Sequence, residues 1–424
     1  MAKMVRKYMK FVKSVIILLV TLAVVLFYYG TLFAHGTNTK KSVRVGSAVN
    51  AFAFDLYKQI QSVKGNLFFS PYSISTALSM TYAGARGNTK VQMQDVLHTG
   101  SVDDFIHLGL ADLDRLLSKA QGKKQFELHV ANALWMEKQY SFFKDFLDVG
   151  EMHYDAALEQ VDFKHASQQV VKVINQWVKL KTQGKIRDLI DPKYIDASTR
   201  LVLTNAIYFK GIWKYLFDPS DTKDLPFFLS DKETLNVPMM FQKTEFGYLD
   251  EKAFQVLELP YAGNDLSMLV LLPREISGLP KLESMLNVTF LSSCKSRLKK
   301  KEVLVFLPKF RFSTPFTLSR TLKEMGMTDA FTRRADFSGM DGTRNLFIGE
   351  VFHKAFVEVN ERGTEASAGT AVVMKPGAAP SEPPPVFKAD HPFVFLIRHE
   401  SSGAILFMGR VVSPLTKSGK GGGL

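Results

Sequence analysis

The sequence predicts an α+β fold, and three observations carry that prediction. The stretches "HVANALWME", "RLVLTNAIYFKGIW" and "DLSMLVLLP" are nearly unbroken apolar runs rich in β-formers, the pattern of central strands in a large sheet. Other stretches carry apolar residues at helical spacing. The two kinds do not alternate strictly, which argues against a doubly wound parallel sheet. No internal repeat and no clean linker interrupts residues 46–375, so one large domain is expected in this chain of 424 residues.

The elements run in order along the chain. In "GSAVNAFAFDLYKQIQS", Val49, Phe52, Phe54, Leu56 and Ile60 mark a helix face. "NLFFSPYSISTALSMTYAGA" opens as a short strand, and Ser70-Pro71 then starts a helix, serine serving as cap and proline suiting the first turn. The three apolar runs come next as strands. "KEVLVFLPKFRFS" alternates and reads as another strand, and "TLSRTLKEMGM" reads as a helix ended by Gly326. "HPFVFLIRHESSGAILFMGRVV" reads as two strands joined at Ser401-Ser402-Gly403.

Composition bounds the chemistry. The chain is 46% hydrophobic and 22% charged, with 34 phenylalanines, which is ordinary globular usage with material for a sizeable core. Cys294 is the single cysteine, so neither an intrachain disulfide nor a cysteine-rich metal site is available. The net charge is +13, but Lys3, Arg6, Lys7, Lys10, Lys13, Lys40, Lys41 and Arg44 stand in residues 1–46 without an acid, leaving only +5 for the rest. Residues 1–13 form a basic leader. Residues 14–34 are 21 residues without a charge, long enough to cross a bilayer as a helix. A retained signal-anchor and a cleaved signal peptide both suit this pattern, with a buried core helix as the third reading. Either of the first two sends the remaining chain out of the cytoplasm, secreted or held at the membrane. Residues 35–46 read as a polar linker and residues 416–424 as a flexible glycine-rich tail.

Enzyme motifs are missing. There is no Gly-x-Ser-x-Gly elbow, no phosphate-binding glycine loop and no His-Glu-x-x-His helix, and the nine histidines are scattered singly. The chain is expected not to be an enzyme and to need neither metal nor cofactor. Lys295, Arg297, Lys299, Lys300 and Lys301 form a basic run, read as a solvated face or as a weak contact for a polyanion or membrane surface. No aromatic residue interleaves it, so nucleic acid is not an expected partner. Asn287-Val288-Thr289 has the pattern of a glycosylation acceptor.

The unusual stretch is "GTEASAGTAVVM", Gly363 to Met374. On a strand its side chains would alternate faces. One face carries Thr364, Ala366, Ala368, Thr370, Val372 and Met374, small at first and then apolar, as if made to lie over a core. The other carries Glu365, Ser367, Gly369, Ala371, Val373 and Lys375. The next segment, "KPGAAPSEPPP", has five prolines and cannot be a central strand. Such a segment is extended, exposed and open to proteases. An edge strand with a loop after it is the plain reading, and a loop built to become a strand is the sharper one.

Here the chain resembles the serpins, over about residues 46–415. The stretches that carry the resemblance are "NLFFSPYSISTALSMTYAGARGNT", "ANALW", "INQWVKLKTQGKI", "LVLTNAIYFKGIW", "FLPKFRF", "LKEMGMTDAF", "HKAFVEVNERGTEASAGTAVVM" and "HPFVFLIR". Each is weak to moderate alone, but their order and spacing are specific. The resemblance implies a monomeric domain over residues 47–415 with three β-sheets, eight or nine helices and an exposed reactive-centre loop at about residues 361–386. It also implies a suicide-substrate mechanism. A serine protease cleaves the loop, remains bound as acyl-enzyme, and is trapped when the cleaved strand inserts into the main sheet; such insertion is a known case of strand addition and strain release.

By the same resemblance, Glu361, Gly363, Thr364, Glu365, Ala366, Ser367, Ala368, Gly369 and Thr370 are the hinge of that loop. Ser73, Ser75, Asn205 and His353 match a polar cluster behind the main sheet, the shutter where its strands part. The small hinge residues favour inhibition over the alternative of a non-inhibitory carrier or chaperone. Counting forward from Glu361 places the reactive bond at Gly377-Ala378, and counting back from Phe393 gives Ser381, so the loop carries an insertion. Lys375 suits a trypsin-like protease, but Pro376 blocks the bond after it. Met374-Lys375 stays open, and Gly377-Ala378 or Ala378-Ala379 suits elastase-like or subtilisin-like enzymes.

Overall fold

The computed structural model describes residues 41–364 and 383–415, apart from residues 101, 103, 104, 123, 124, 155 and 156. Its strands form two sheets. The larger runs β1 (Leu67–Phe69), β15 (Ile405–Val411), β14 (Phe393–His399), β8 (Leu266–Pro273), β7 (Phe254–Pro260), β6 (Glu233–Asp250), β9 (Lys299–Pro308) and β13 (Val386–Lys388), with β5 (Lys223–Ser230) paired to β6. The smaller runs β10 (Phe310–Thr317), β11 (Ile348–Asn360), β12 (Gly363–Thr364), β4 (Leu201–Ile212), β2 (Phe126–Glu137) and β3 (Ala157–Val161).

Three sheets were expected, and the hydrogen-bond ladders give two. The reason is the 18-residue strand β6. Its last residues pair with β7 while its middle pairs with β9 and its start with β5, so one ladder passes continuously from one layer to the next. The segment "KEVLVFLPKFRFS", read as one strand, breaks at Lys309 into β9 and β10, which belong to different sheets.

Ten α-helices stand among the described residues, against the eight or nine implied; the last two are short, of six and four residues. They are α1 (residues 41–60), α2 (Pro71–Gly84), α3 (Gly87–Val96), α4 (Ile106–Gln121), α5 (Lys144–Tyr154), α6 (Phe163–Lys181), α7 (Leu279–Met285), α8 (Val288–Arg297), α9 (Ser319–Glu324) and α10 (Ser338–Asp341). Helix α1 begins within the stretch read as linker, because Ser42 and Val45 already face the core. None of these helices is long and apolar enough to cross a membrane. Residues 14–34, where a membrane or signal helix is expected, lie outside the described residues, as does the tail 416–424.

Two helices flank the smaller sheet. Helix α2 is buried on nearly every side and packs against β2, β4 and β15. Its cap is as expected: the Ser70 hydroxyl accepts from the Ser73 N–H, and Pro71 takes the first turn. Helix α6 lies on the opposite face of the smaller sheet. Its Phe163, Val170, Ile174 and Val178 share an apolar cluster with Trp135 on β2, Tyr208 on β4 and Phe352 on β11; the helix itself packs on β2, and the segment after it reaches β11, where Tyr194 meets Phe352 and the Arg187 carbonyl accepts from Lys354.

Candidate functional site: a seam open at one end

Strands β4 and β11 pair directly and in parallel from Ile348 opposite Leu201 to Phe356 opposite Tyr208. Beyond that point they part, and the two residues of β12 sit between them. Thr364 lies opposite Val359 on one side and Gly211 on the other, antiparallel to both strands. The start of the predicted hinge is therefore a third strand in the sheet already, and Thr364 is fully buried.

Several groups hold that wedge. The Tyr261 hydroxyl and Thr364 Oγ1 share a hydrogen bond of 2.7 Å. Tyr261 stacks on Trp213, with ring centroids 4.7 Å apart. The Trp213 indole N–H donates to the Asn360 carbonyl at 3.0 Å, and its backbone N–H donates to the Arg362 carbonyl at 2.8 Å. The Glu361 carboxylate accepts from Lys309 Nζ and from Thr222 Oγ1, each at 2.9 Å. Burial alone would raise the Glu361 pKa, but the Lys309 ammonium and the Thr222 hydroxyl outweigh it and hold the carboxyl below its usual range. Gly363 has φ +147°, and a Cβ there would stand 1.9 Å from the Gly211 carbonyl oxygen, so only glycine admits this approach.

Lower down, where β4 and β11 are joined, lies a buried polar cluster. His353 and Asn205 are cross-strand partners. His353 Nε2 accepts the Ser70 N–H at 3.1 Å, which leaves Nδ1 protonated to donate to Asn205 Oδ1. Asn205 Nδ2 donates to Ser73 Oγ and to Asn132 Oδ1, and Ser73 Oγ donates to Asn132 at 3.2 Å. Burial pushes the His353 pKa down to about 3, so the ring is neutral. The cluster ties β2, β4, β11 and α2 together at one point.

Of the sequence-derived shutter residues, the structure joins Ser73, Asn205 and His353. Ser75 is buried, but its hydroxyl has no partner among the described residues and stands apart from the cluster. Sequence reasoning missed Ser70 and Asn132 as members, and Tyr261, Trp213 and Lys309 around the wedge. A signal existed for Asn132: it is a lone amide in an apolar strand, as Asn205 is, and the two stand opposite each other. Of the hinge, Glu361, Gly363 and Thr364 hold the wedge positions just described. Glu365, Ala366, Ser367, Ala368, Gly369 and Thr370 lie outside the described residues, as do Met374, Lys375, Gly377, Ala378, Ala379 and Ser381. In the basic run, Lys295 pairs with Glu258 and Glu400, and Arg297 with Glu251. Lys299, Lys300 and Lys301 are exposed at the start of β9. No group of three histidine, cysteine or acidic side chains among the described residues could hold a metal ion.

The family model described as serpin (serine protease inhibitor) matches residues 47–414. The chain belongs to the serpin family. This serpin is 45% identical over 381 residues to the leukocyte elastase inhibitor of Sus scrofa, covering 88% of this chain and 100% of that protein. It is 43% identical over 382 residues to leukocyte elastase inhibitor A of Rattus norvegicus, with the same coverage. It is also 42% identical over 371 residues to an uncharacterised serpin-like protein of Thermococcus kodakarensis, covering 87% of this chain and 86% of that one. Among solved structures, maspin aligns with a TM-score of 0.82 at 30% identity, over 88% of this chain and 100% of that chain. Uncleaved ovalbumin aligns with a TM-score of 0.78 at 32% identity, over 87% and 100%. The serpin is of the inhibitory type by its relatives named as inhibitors, and it is not an enzyme.

Proposed function

We propose that this serpin traps serine proteases as acyl-enzymes by drawing its cleaved loop into the seam between β4 and β11. The observation that carries the reading is β12. Continuing its pairing down the seam brings Thr370 to the level of His353 on one side and Asn205 on the other. The inserting strand would then replace the bond between those two side chains. The same continuation brings Val372 level with Val351 and Leu203, which belong to the main core. It brings Glu365 level with Glu358 and Lys210 on the more exposed face. Small hinge residues suit passage between two packed strands, and insertion exchanges one ladder for two.

The reactive bond in this proposal is Gly377-Ala378 or Ala378-Ala379. Small residues there suit a shallow pocket, and the relatives named leukocyte elastase inhibitors support an elastase-like target. The leader and the apolar stretch 14–34 support a place outside the cytoplasm, secreted or anchored.

The test is incubation of the full chain with elastase-, subtilisin-, trypsin- and chymotrypsin-like proteases. A denaturant-resistant complex on a gel is expected, with a released peptide starting at Ala378 or Ala379. Clean cleavage without a complex by every protease, and without gain in heat stability, overturns the proposal in favour of a carrier.

A further inference from the structure

At the point where β4 and β11 part, a cation from outside the sheet engages both strands. The last rung of their direct pairing is Tyr208 opposite Phe356. The two ring centroids lie 6.0 Å apart, on the face that carries α6, and both side chains are buried. Lys185 Nζ stands 5.6 Å from the Tyr208 ring centroid and 5.9 Å from that of Phe356. One ammonium therefore holds one ring from each side of the seam. A cation is drawn to an aromatic face by the ring quadrupole, and more strongly where water is shut out. Lys185 is half-buried, and that burial lowers its pKa, with Glu358 acting against the shift and Arg311 and Lys210 adding to it.

The neighbouring strands extend the contact. Arg311 of β10 also lies over Phe356, at 5.2 Å, and His129 of β2 stacks on Tyr208 with centroids 5.6 Å apart. Lys185 is the member of this strip that belongs to no strand. It stands in residues 182–190, after α6, and that segment is fixed to the helix. The Asn175 amide exchanges two hydrogen bonds of 2.9 Å with the Ile190 backbone. Thr182 Oγ1 donates to the Val178 carbonyl at 2.8 Å and accepts from the Ile186 N–H at 3.2 Å. Ile186, next to Lys185, is fully buried in the α6 cluster. A side chain carried on so fixed a support has less freedom to lose when it settles over the rings.

We propose that Lys185 clamps the seam at its last closed rung, as a positioning residue that holds Tyr208 beside Phe356 and sets how readily the two strands part. The direction follows from the geometry. Separating β4 from β11 at this rung draws the rings apart, and one ammonium cannot then stay over both. The double contact exists only while the seam is closed, so removing it makes opening more frequent. The effect on protease capture rests on the insertion mechanism proposed for this serpin, whereas the effect on opening does not.

The experiment compares the full chain with Lys185→Met, which keeps the apolar stem and loses the charge, and with Lys185→Arg, which keeps a cation. Hydrogen exchange of the backbone amides at residues 351–356 reports opening of the seam, with β14 in the other sheet as the control. The rate of complex formation, with whichever protease of the panel above forms a complex, reports capture. In Lys185→Met, exchange at residues 351–356 should rise roughly fivefold while β14 is unchanged, and capture should be several-fold faster. Lys185→Arg should restore both. Phe356→Leu, which removes one of the two rings, should act in the same direction, and adding Lys185→Met to it should have less effect than in the native chain. Unchanged exchange at residues 351–356 in Lys185→Met, an equal rise in β14, or no restoration by Lys185→Arg overturns the clamp. Faster exchange with unchanged capture removes its part in capture. A chain that forms no complex with any protease bears on the insertion mechanism alone, because exchange is read without protease.

Discussion

The two halves of one seam are held by different chemistry. At its upper end β4 and β11 are apart, and the gap holds Gly363 and Thr364, secured by an ion pair, an indole and a phenol. At the level of His353 the same strands pair directly, secured by a neutral cluster without exposed members. The upper contacts include Lys309, whose side chain is 37% exposed, so water competes with them. The lower contacts cannot be exchanged for water, and breaking one leaves a buried polar group without a partner. Under the proposed mechanism a seam built this way would open from the end that holds Thr364.

The largest effect that would break this contrast comes from charging the wedge. Thr364→Arg places an unpaired cation where Thr364 is wholly buried against Tyr261. An uncompensated buried charge costs several kcal/mol, so the yield of denaturant-resistant complex should fall by roughly a hundredfold while cleavage of the loop continues. Undiminished complex on a gel would show that trapping does not depend on the wedge.

Removing the lower lock comes next. His353→Leu leaves the Ser70 N–H and the Asn205 side-chain Oδ1 unpaired in the core. Two orphaned groups predict a loss of about 3 kcal/mol, readable as a lower denaturant midpoint. A neutral loss would mean that the cluster is replaceable packing.

The same residue sets a pH signature. The folded pKa of His353, about 3, lies below the ordinary histidine value. The unfolded chain therefore takes up a proton that the folded chain refuses, and stability falls as pH drops from about 6.5 towards 3. The slope from this one group is about 1.4 kcal/mol per pH unit, and it should vanish in His353→Leu. Equal acid profiles for the two would refute the assignment.

The smallest effect belongs to the upper lock. Lys309→Met leaves Glu361 with Thr222 alone and should cost about 1 kcal/mol, given the partial exposure of the pair. If this variant loses more stability than His353→Leu, the ranking of the two halves is reversed.

How far the sequence showed this arrangement differs from element to element. The strands β2, β4 and β8 and the capped helix α2 were legible because unbroken apolar runs and the Ser-Pro start are local signals. Of the expected hinge, Glu361, Gly363 and Thr364 stand in the wedge, and the remaining hinge residues lie outside the described residues. Membership of the buried cluster was only partly legible. Asn132 and Ser70 join it through strand register and the first turn of α2, and neither relation can be read from spacing along the chain. Ser75 matched the family pattern, yet its hydroxyl stands apart from the cluster. The joining of two expected sheets through β6, and the break at Lys309, depend on how long ladders bend in space, which alternation does not encode.

The placement of Thr364 also has a kinetic meaning. A strand entering a closed ladder must first separate it, and that opening step is costly while it gains nothing. Here the first rung is already bonded on both sides. In the proposed insertion, chain that trails Thr364 into the seam would therefore elongate an existing strand and not start one. Its rate would then be governed by the number of rungs still to part, so each residue added to or removed from the segment below Thr364 would, under the proposed mechanism, reset a clock that runs against the hydrolysis of the acyl bond.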